Sequence, residues 1–196
     1  MPAGTEGTQY LFSETFLEGD VELEGNEEEE KWGQGEGETR GQGEFLLNYD
    51  VYNQKLLLKY SDETGAEQII EVTMDFLNRF NLGNINFEYL GFKGELKIYQ
   101  VLGDGKYEVL YYWRKSLKLS NSAAHATYAF SEPAKDRYLL IDGQRVPFSS
   151  NGSFINKFDP DSRDKIRNYI QEKGINVKKS SDGEMTMLIN FINNLK

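Results

Sequence analysis

The sequence predicts a mainly β protein: an antiparallel barrel or bent sandwich of roughly eight to ten strands, with two C-terminal α-helices packed on it. Three observations lead there. Aromatic residues make up 13% of the chain, twelve Tyr and twelve Phe among them, and such residues suit a pleated, half-buried surface. Turn signals recur about every 8–12 residues. Over the last stretch, from Asp159 onward, the apolar period changes from two to that of a helix.

In chain order, "DVELE" alternates, with Val21 and Leu23 on one face, and reads as a strand. "EFLLNYDVYNQKLLLKYSDETGAEQIIEV" reads as three strands, near 44–51, 54–60 and 67–72, joined as a meander by "YNQ" and "SDETGAE". "TMDFLNRFNLGN" breaks the pattern: Met74, Leu77 and Phe80 approach helical spacing and predict a single helical turn. The arms "GELKIYQVL" and "KYEVLYYWRKSLKL" flank "GDG" at 103–105, whose glycines can take the positive φ of a tight turn. The second arm reads as one long strand from Lys106 to Leu119, and a further strand is expected near Ala126–Phe130.

Two hairpins follow, turning on Asp142-Gly143 and on Asn151-Gly152. Pro147, without an N–H, places its strand at an edge or a bulge. Asp159 then reads as an N-cap with Pro160 at the first helical position, Ile166, Tyr169 and Ile170 as the buried stripe, and Gly174 as the stop. After an extended "INVKK", Ser181 and Glu184 have capping-box spacing, and Met185, Leu188, Ile189, Ile192 and Leu195 share one face of a final helix.

At 196 residues the chain is expected to form a single domain, 1–196, large enough to need no disulfide or metal. Within it, 1–9 reads as a flexible N-terminus, 25–43 as an acidic Gly-rich loop or hairpin insertion, and 159–196 as a C-terminal helical subregion. The net charge of −10 is concentrated: residues 1–50 hold fourteen acidic and two basic side chains, the rest eighteen and twenty. Such a chain is repelled by nucleic acid and by anionic membranes. No apolar run approaches the roughly 20 residues of a membrane span. A protein or a small molecule is the expected partner.

Catalytic chemistry is poorly supplied. There is no cysteine and one histidine, His125, so disulfides, thiolate nucleophiles and Cys-ligated zinc are excluded. "SAAHATY" around His125 lacks a nucleophile elbow and reads as structural. "DPDSRD" at 159–164 starts like a calcium loop, but Arg163, Asp164 and Ile170 occupy the fifth, sixth and twelfth places, where an oxygen ligand, a glycine and a glutamate are required. Asn151-Gly152-Ser153 fits a glycosylation sequon that a turn explains without sugar. The Gly-x-Gly spacings of "GQGEGETRGQG" precede no helix and carry no lysine for phosphate. No catalytic residue, metal ligand or cofactor is therefore assigned. The candidates for ligand contact are Tyr111 and Trp113, which share one face of "YYW", and Trp32, the one large apolar residue of the acidic stretch.

Two segments together resemble small secreted or periplasmic proteins of the Bacteroidetes group. They are "LNYDVYNQKLLLKYSDETGAEQIIEV", which leads to the aromatic-ended "MDFLNRF", and the tail from "FINKFDPDSRDKIRNYIQEKG" to "MTMLINFINNL". The resemblance covers about half the chain and rests on residue types. It implies a periplasmic or extracellular protein and carries no site residues; against it, Gly25–Glu44 stands as an insertion. The opening "MPAGTEGTQY" has neither basic n-region nor apolar h-region, so a cytoplasmic protein is the alternative. The functional expectation is a non-catalytic, extracytoplasmic binding or scaffold module with an apolar or neutral ligand. The alternatives are a glycosidase-like hydrolase using two carboxylates and cation binding by 25–44.

Overall fold

Residues 5–23, 45–122 and 125–195 are described by a computed structural model. The insertion at 25–43 and Trp32 lie outside them. In chain order the strands are β1 (Leu17–Gly19), β2 (Val21–Leu23), β3 (Phe45–Asp50), β4 (Lys55–Ser61), β5 (Glu67–Glu71), β6 (Leu77–Leu82), β7 (Ile85–Phe92), β8 (Glu95–Leu102), β9 (Tyr107–Arg114), β10 (Leu117–Ser122), β11 (His125–Phe130), β12 (Ala134–Ile141) and β13 (Gln144–Pro147). The helices are α1 (Asn151–Ile155), α2 (Pro160–Glu172) and α3 (Asp182–Asn193). The protein is mainly β, with antiparallel pairing between neighbouring strands. Its sheets are open-ended, so of the two expected architectures the sandwich holds and the closed barrel does not.

The thirteen described strands exceed the expected eight to ten for local reasons. The helical turn expected at 74–80 is one 3-10 turn, Met74–Phe76, after which β6 and β7 form a hairpin around Gly83. The long arm from Lys106 breaks at Lys115-Ser116 into β9 and β10. Asn151-Gly152 is no hairpin. Ser150 accepts from the Ser153 amide at the start of α1 while the Ser153 hydroxyl accepts from the Ser150 amide, and this capping box outcompetes the turn. "INVKK" is a turn rather than a strand.

The chain divides into two compact units: Met1–Leu90, Leu96–Ile98 and Trp113–Ala134 in the first, Gly91–Glu95, Tyr99–Tyr112 and Lys135–Lys196 in the second. In the first, the sheet β1-β3-β4-β5 packs on β2-β6-β7. Phe80 and Phe87 stack 4.9 Å apart, and Tyr49 meets both edge-on at 6.0 and 5.5 Å. Leu47, Leu56 and Leu82 complete that interior, each at most 2% exposed. Strands that change sheets make the corners of such sandwiches. Here the corner is Gly19-Asp20, between β1 and β2, and a Cβ on Gly19 would stand 2.1 Å from the Asn81 carbonyl oxygen.

In the second unit β9 lies between β8 and β12, with β13 at the edge, as Pro147 requires. The β8–β9 turn uses Gly103 and Gly105 at positive φ, and a Cβ on Gly103 would meet Ile189 at 2.2 Å. The expected caps of α2 and α3 are present: Asp159 accepts from the Ser162 amide, and Ser181 and Glu184 form a reciprocal box. Ile166 and Ile170 of α2 are buried, as are Met185, Leu188, Ile189 and Ile192 of α3. Tyr169 stacks on Phe191 at 4.0 Å instead. No helix among the described residues is long and apolar enough to cross a membrane.

Candidate functional site

Side-chain alternation along β12 decides where the second unit concentrates polar groups. Lys135 and Arg137 share a face with fully buried Leu139, so two cations point toward the helices. The Lys135 Nζ lies 3.0 Å from Asp182 Oδ1 at the start of α3, with its side chain 14% exposed, and 3.7 Å from the Tyr111 ring centroid. Burial holds the Lys135 ammonium below its ordinary pKa, against the pull of Asp182. Gln100 Nε2 donates to the second Asp182 oxygen at 2.6 Å.

Tyr111, one of the expected ligand contacts, lies in this network with no exposed surface. Burial first, then the Asp182 charge, pushes its hydroxyl well above the usual tyrosine range, so it stays protonated. That hydroxyl has no hydrogen-bond partner of good geometry; the Ser180 side chain is near enough to act on it, but its own hydroxyl turns to the Val177 carbonyl. Trp113 belongs to the other unit, where it is half-buried against the sandwich core and its carbonyl accepts from Gln54 Nε2 at 3.0 Å. Tyr111 therefore fills space, and Trp113 offers a ligand only part of its surface.

Beside this network lies a notch of about 300 Å³, lined by β12, by the chain leaving β13 and by Lys178. Its origin is Pro147. After the last strand pair, Tyr138 with Pro147, the Phe148 amide donates to the Arg137 carbonyl at 3.1 Å, and the chain turns out through Ser149 into α1. Arg137 Nη1 donates to the Lys135 carbonyl and Nη2 to the Lys178 carbonyl at 2.7 Å, while its Nε is buried with no partner. The turn carrying Lys178 is pinned by Asn151, whose amide accepts from Val177 N and donates to Ile175 O, both at 2.9 Å. The sequon asparagine is thus fully engaged inside the fold.

On the opposite face of the same strands, Tyr99 is ringed by Phe92, Tyr112 and Tyr138 at 5.6–6.2 Å. The Arg145 guanidinium lies over Phe92, Tyr99 and Tyr138, 5.1–5.7 Å from their centroids, and donates to the Tyr99 hydroxyl. This aromatic cage holds the protein's own cation.

No protein-family model matches the chain, and no curated protein or solved structure is significantly similar to it.

In the first unit, Glu22, Arg79 and Glu88 stand in cross-strand register over β2, β6 and β7. Glu22 accepts from Arg79 Nε at 2.7 Å and from Asn78 Nδ2 at 2.6 Å. Glu88 is half-buried, and desolvation raises its carboxyl pKa despite Arg79. No group of three potential metal ligands occurs among the described residues.

Sequence reading passed over Lys135, Arg137 and Lys178. The signal for the first two was present: in "AKDRYLLI" they alternate onto the face of Leu139, where a solvated strand would place its charges opposite the leucine. Nothing local announces Lys178, which arrives through the Asn151 contact 26 residues away from Val177.

Proposed function

We propose that the protein is a non-catalytic binding module that works outside the cytoplasm, with the notch between β12, Pro147-Phe148 and Lys178 as its ligand site. The observation that carries this reading is the notch itself: a concavity at the small end of ligand pockets, roughly 300–1,000 Å³, lined by charged and polar residues that include Lys135, Arg137, Ser149 and Lys178. The acids that hydrolysis would need have structural employment instead. Asp182 holds Lys135 and Gln100, Asp159 and Glu184 cap helices, and Asp50 closes a turn onto Asn53. The resemblance to secreted and periplasmic Bacteroidetes proteins supports the location. A thermal-shift screen with small organic acids, neutral sugars, peptides and lipids tests the module; a class that raises the melting temperature supports it, and a flat response throughout removes it.

Glu88 favours a second reading, a hydrolase with two carboxylates. Its raised pKa suits a general acid, and Glu22 lies two strands away, roughly 10 Å at the backbone, near the roughly 6.5–9.5 Å separation of inverting glycosidases. Against it, Glu22 and Arg79 are 46% and 63% exposed, as in a solvated charge ladder. Turnover of nitrophenyl glycosides abolished by Glu88→Gln would establish this reading; none, at any pH from 4 to 8, would end it.

A further inference from the structure

We infer that the outer edge of β5 docks an extended, cationic peptide segment of another protein, which joins the sheet β1-β3-β4-β5 as a further antiparallel strand. This goes beyond the notch and concerns the other unit. The two larger sheets end on β1 and β5 and on β13 and β2. An open sheet edge pairs readily with a foreign strand, and short length, bulges and proline are common protections. β1 and β2 are three residues long, β2 shifts register at Glu22-Leu23, and β13 ends on Pro147. β5 has none of these devices. It keeps one register with β4 over all five of its residues, and every one of them is exposed.

Backbone phasing shows what this edge offers. The Val72 amide donates to the Leu56 carbonyl and the Asp62 amide to the Ala66 carbonyl, both at 2.9 Å. Hydrogen-bonded positions alternate in an antiparallel pair, so Gln68 and Ile70 turn their peptide groups to β4. Glu67, Ile69 and Glu71 turn theirs outward, where they meet no partner among the described residues. Side chains alternate in the same way. Ile70 shares the core side with Leu56 and Val72 yet is 47% exposed; Ile69, on the other face between the two glutamates, is 56% exposed.

Charge selects the occupant. Glu71 and Glu67 take Lys55 and Lys59 of β4, each at 2.7 Å, and their other side looks onto the open edge. A second copy would bring like charges together there. Glu67 of one copy would stand opposite Glu71 of the other if the two Ile69 residues paired, and the two Glu71 residues would lie diagonally if the two Ile70 residues did. The net charge of −10 on each chain adds to that repulsion. A strand with basic residues opposite Glu67 and Glu71 instead sets each carboxylate between two cations, with an apolar residue against Ile69. Main-chain bonds then supply the affinity, and the alternating side chains the selectivity.

The test is fluorescence anisotropy of the whole chain with a labelled peptide, Ser-Lys-Val-Val-Thr-Lys-Ser, at about 150 mM NaCl, where long-range attraction is screened. Its lysines fall opposite Glu71 and Glu67 and its second valine opposite Ile69. Binding is expected with Kd on the order of 100 μM. N-methylation of the second valine removes a donor but no charge and is expected to weaken binding at least tenfold; the same peptide with glutamates for lysines is expected not to bind. Ile69→Pro removes an outward amide and no bond to β4 and is expected to abolish binding. Glu67→Gln together with Glu71→Gln, at exposed positions, is expected to weaken it about fivefold. If Ile69→Pro fails to fold, the glutamine pair and the N-methylated peptide decide. Equal affinity for the plain and N-methylated peptides would reduce the effect to charge attraction and overturn strand addition. No binding, or binding unchanged by the substitutions, would overturn the site. A dimer in sedimentation that Ile69→Pro abolishes would make a second copy the occupant and overturn the peptide.

Discussion

A single carboxylate shows how far hydrogen bonds alone can set a residue's chemistry near the surface. Asp62 sits in the β4–β5 turn, partly exposed. Its Oδ1 accepts from the Thr64 hydroxyl at 2.6 Å, the Thr64 amide at 2.9 Å and the Ala66 amide at 3.0 Å; its Oδ2 accepts from Gln68 Nε2 at 3.1 Å. These bonds, the Thr64 hydroxyl first and Gln68 next, bring its pKa down to about 2, because each favours the charged form. The folded pKa lies below the unfolded one, so the contribution to stability is fully present above the unfolded value of 3.8 and is lost as pH falls through about 2. Carbon-detected NMR titration should place the Asp62 midpoint near 2, and Asp62→Asn should flatten the dependence of unfolding midpoint on pH between about 4 and 2. A midpoint close to 3.8 would mean the turn does not hold in solution.

At the scale of the element, α3 is fastened at both ends rather than only through its apolar stripe. Asp182 at its N-terminus takes Gln100 and Lys135. Asn193 at its C-terminus accepts from the Tyr107 amide and donates to the Tyr107 carbonyl, both at 2.9 Å, like one more strand at the start of β9. Asn193→Ala leaves both Tyr107 groups without those partners and should cost about 2 kcal/mol in urea denaturation, where loss of a solvated asparagine would cost almost nothing. This anchoring also marks the boundary of what sequence reading can reach. The caps at Asp159 and Ser181, the positive-φ turns at Gly103, Gly105 and Asp142-Gly143, and the stripe of α3 were legible because each is decided within a few residues. β6 was misread because Met74, Leu77 and Phe80 recur every three residues and so fit a helical spacing, although Phe80 and Leu82 also fit a strand. The Asn151-Gly152 hairpin was misread because Ser150 and Ser153 gave a competing local answer. The candidate site was least legible, since Arg137, Lys178 and Phe148 meet only through Pro147 ending β13 and Asn151 pinning a distant turn.

Over the whole molecule, charge decides which anions can arrive. The first unit carries twenty-one acidic and nine basic residues, the second eleven and thirteen, so the notch belongs to the half of the chain with a slight positive balance while the total stays at −10. A polyanion meets the repulsion of the total charge, which at low salt extends over roughly 30 Å. Duplex DNA and heparin should therefore give no mobility shift at 10 mM salt, where nucleic-acid binders hold most tightly. A salt-sensitive complex with DNA would show instead that the basic residues of the second unit form a continuous surface strong enough to override the total charge.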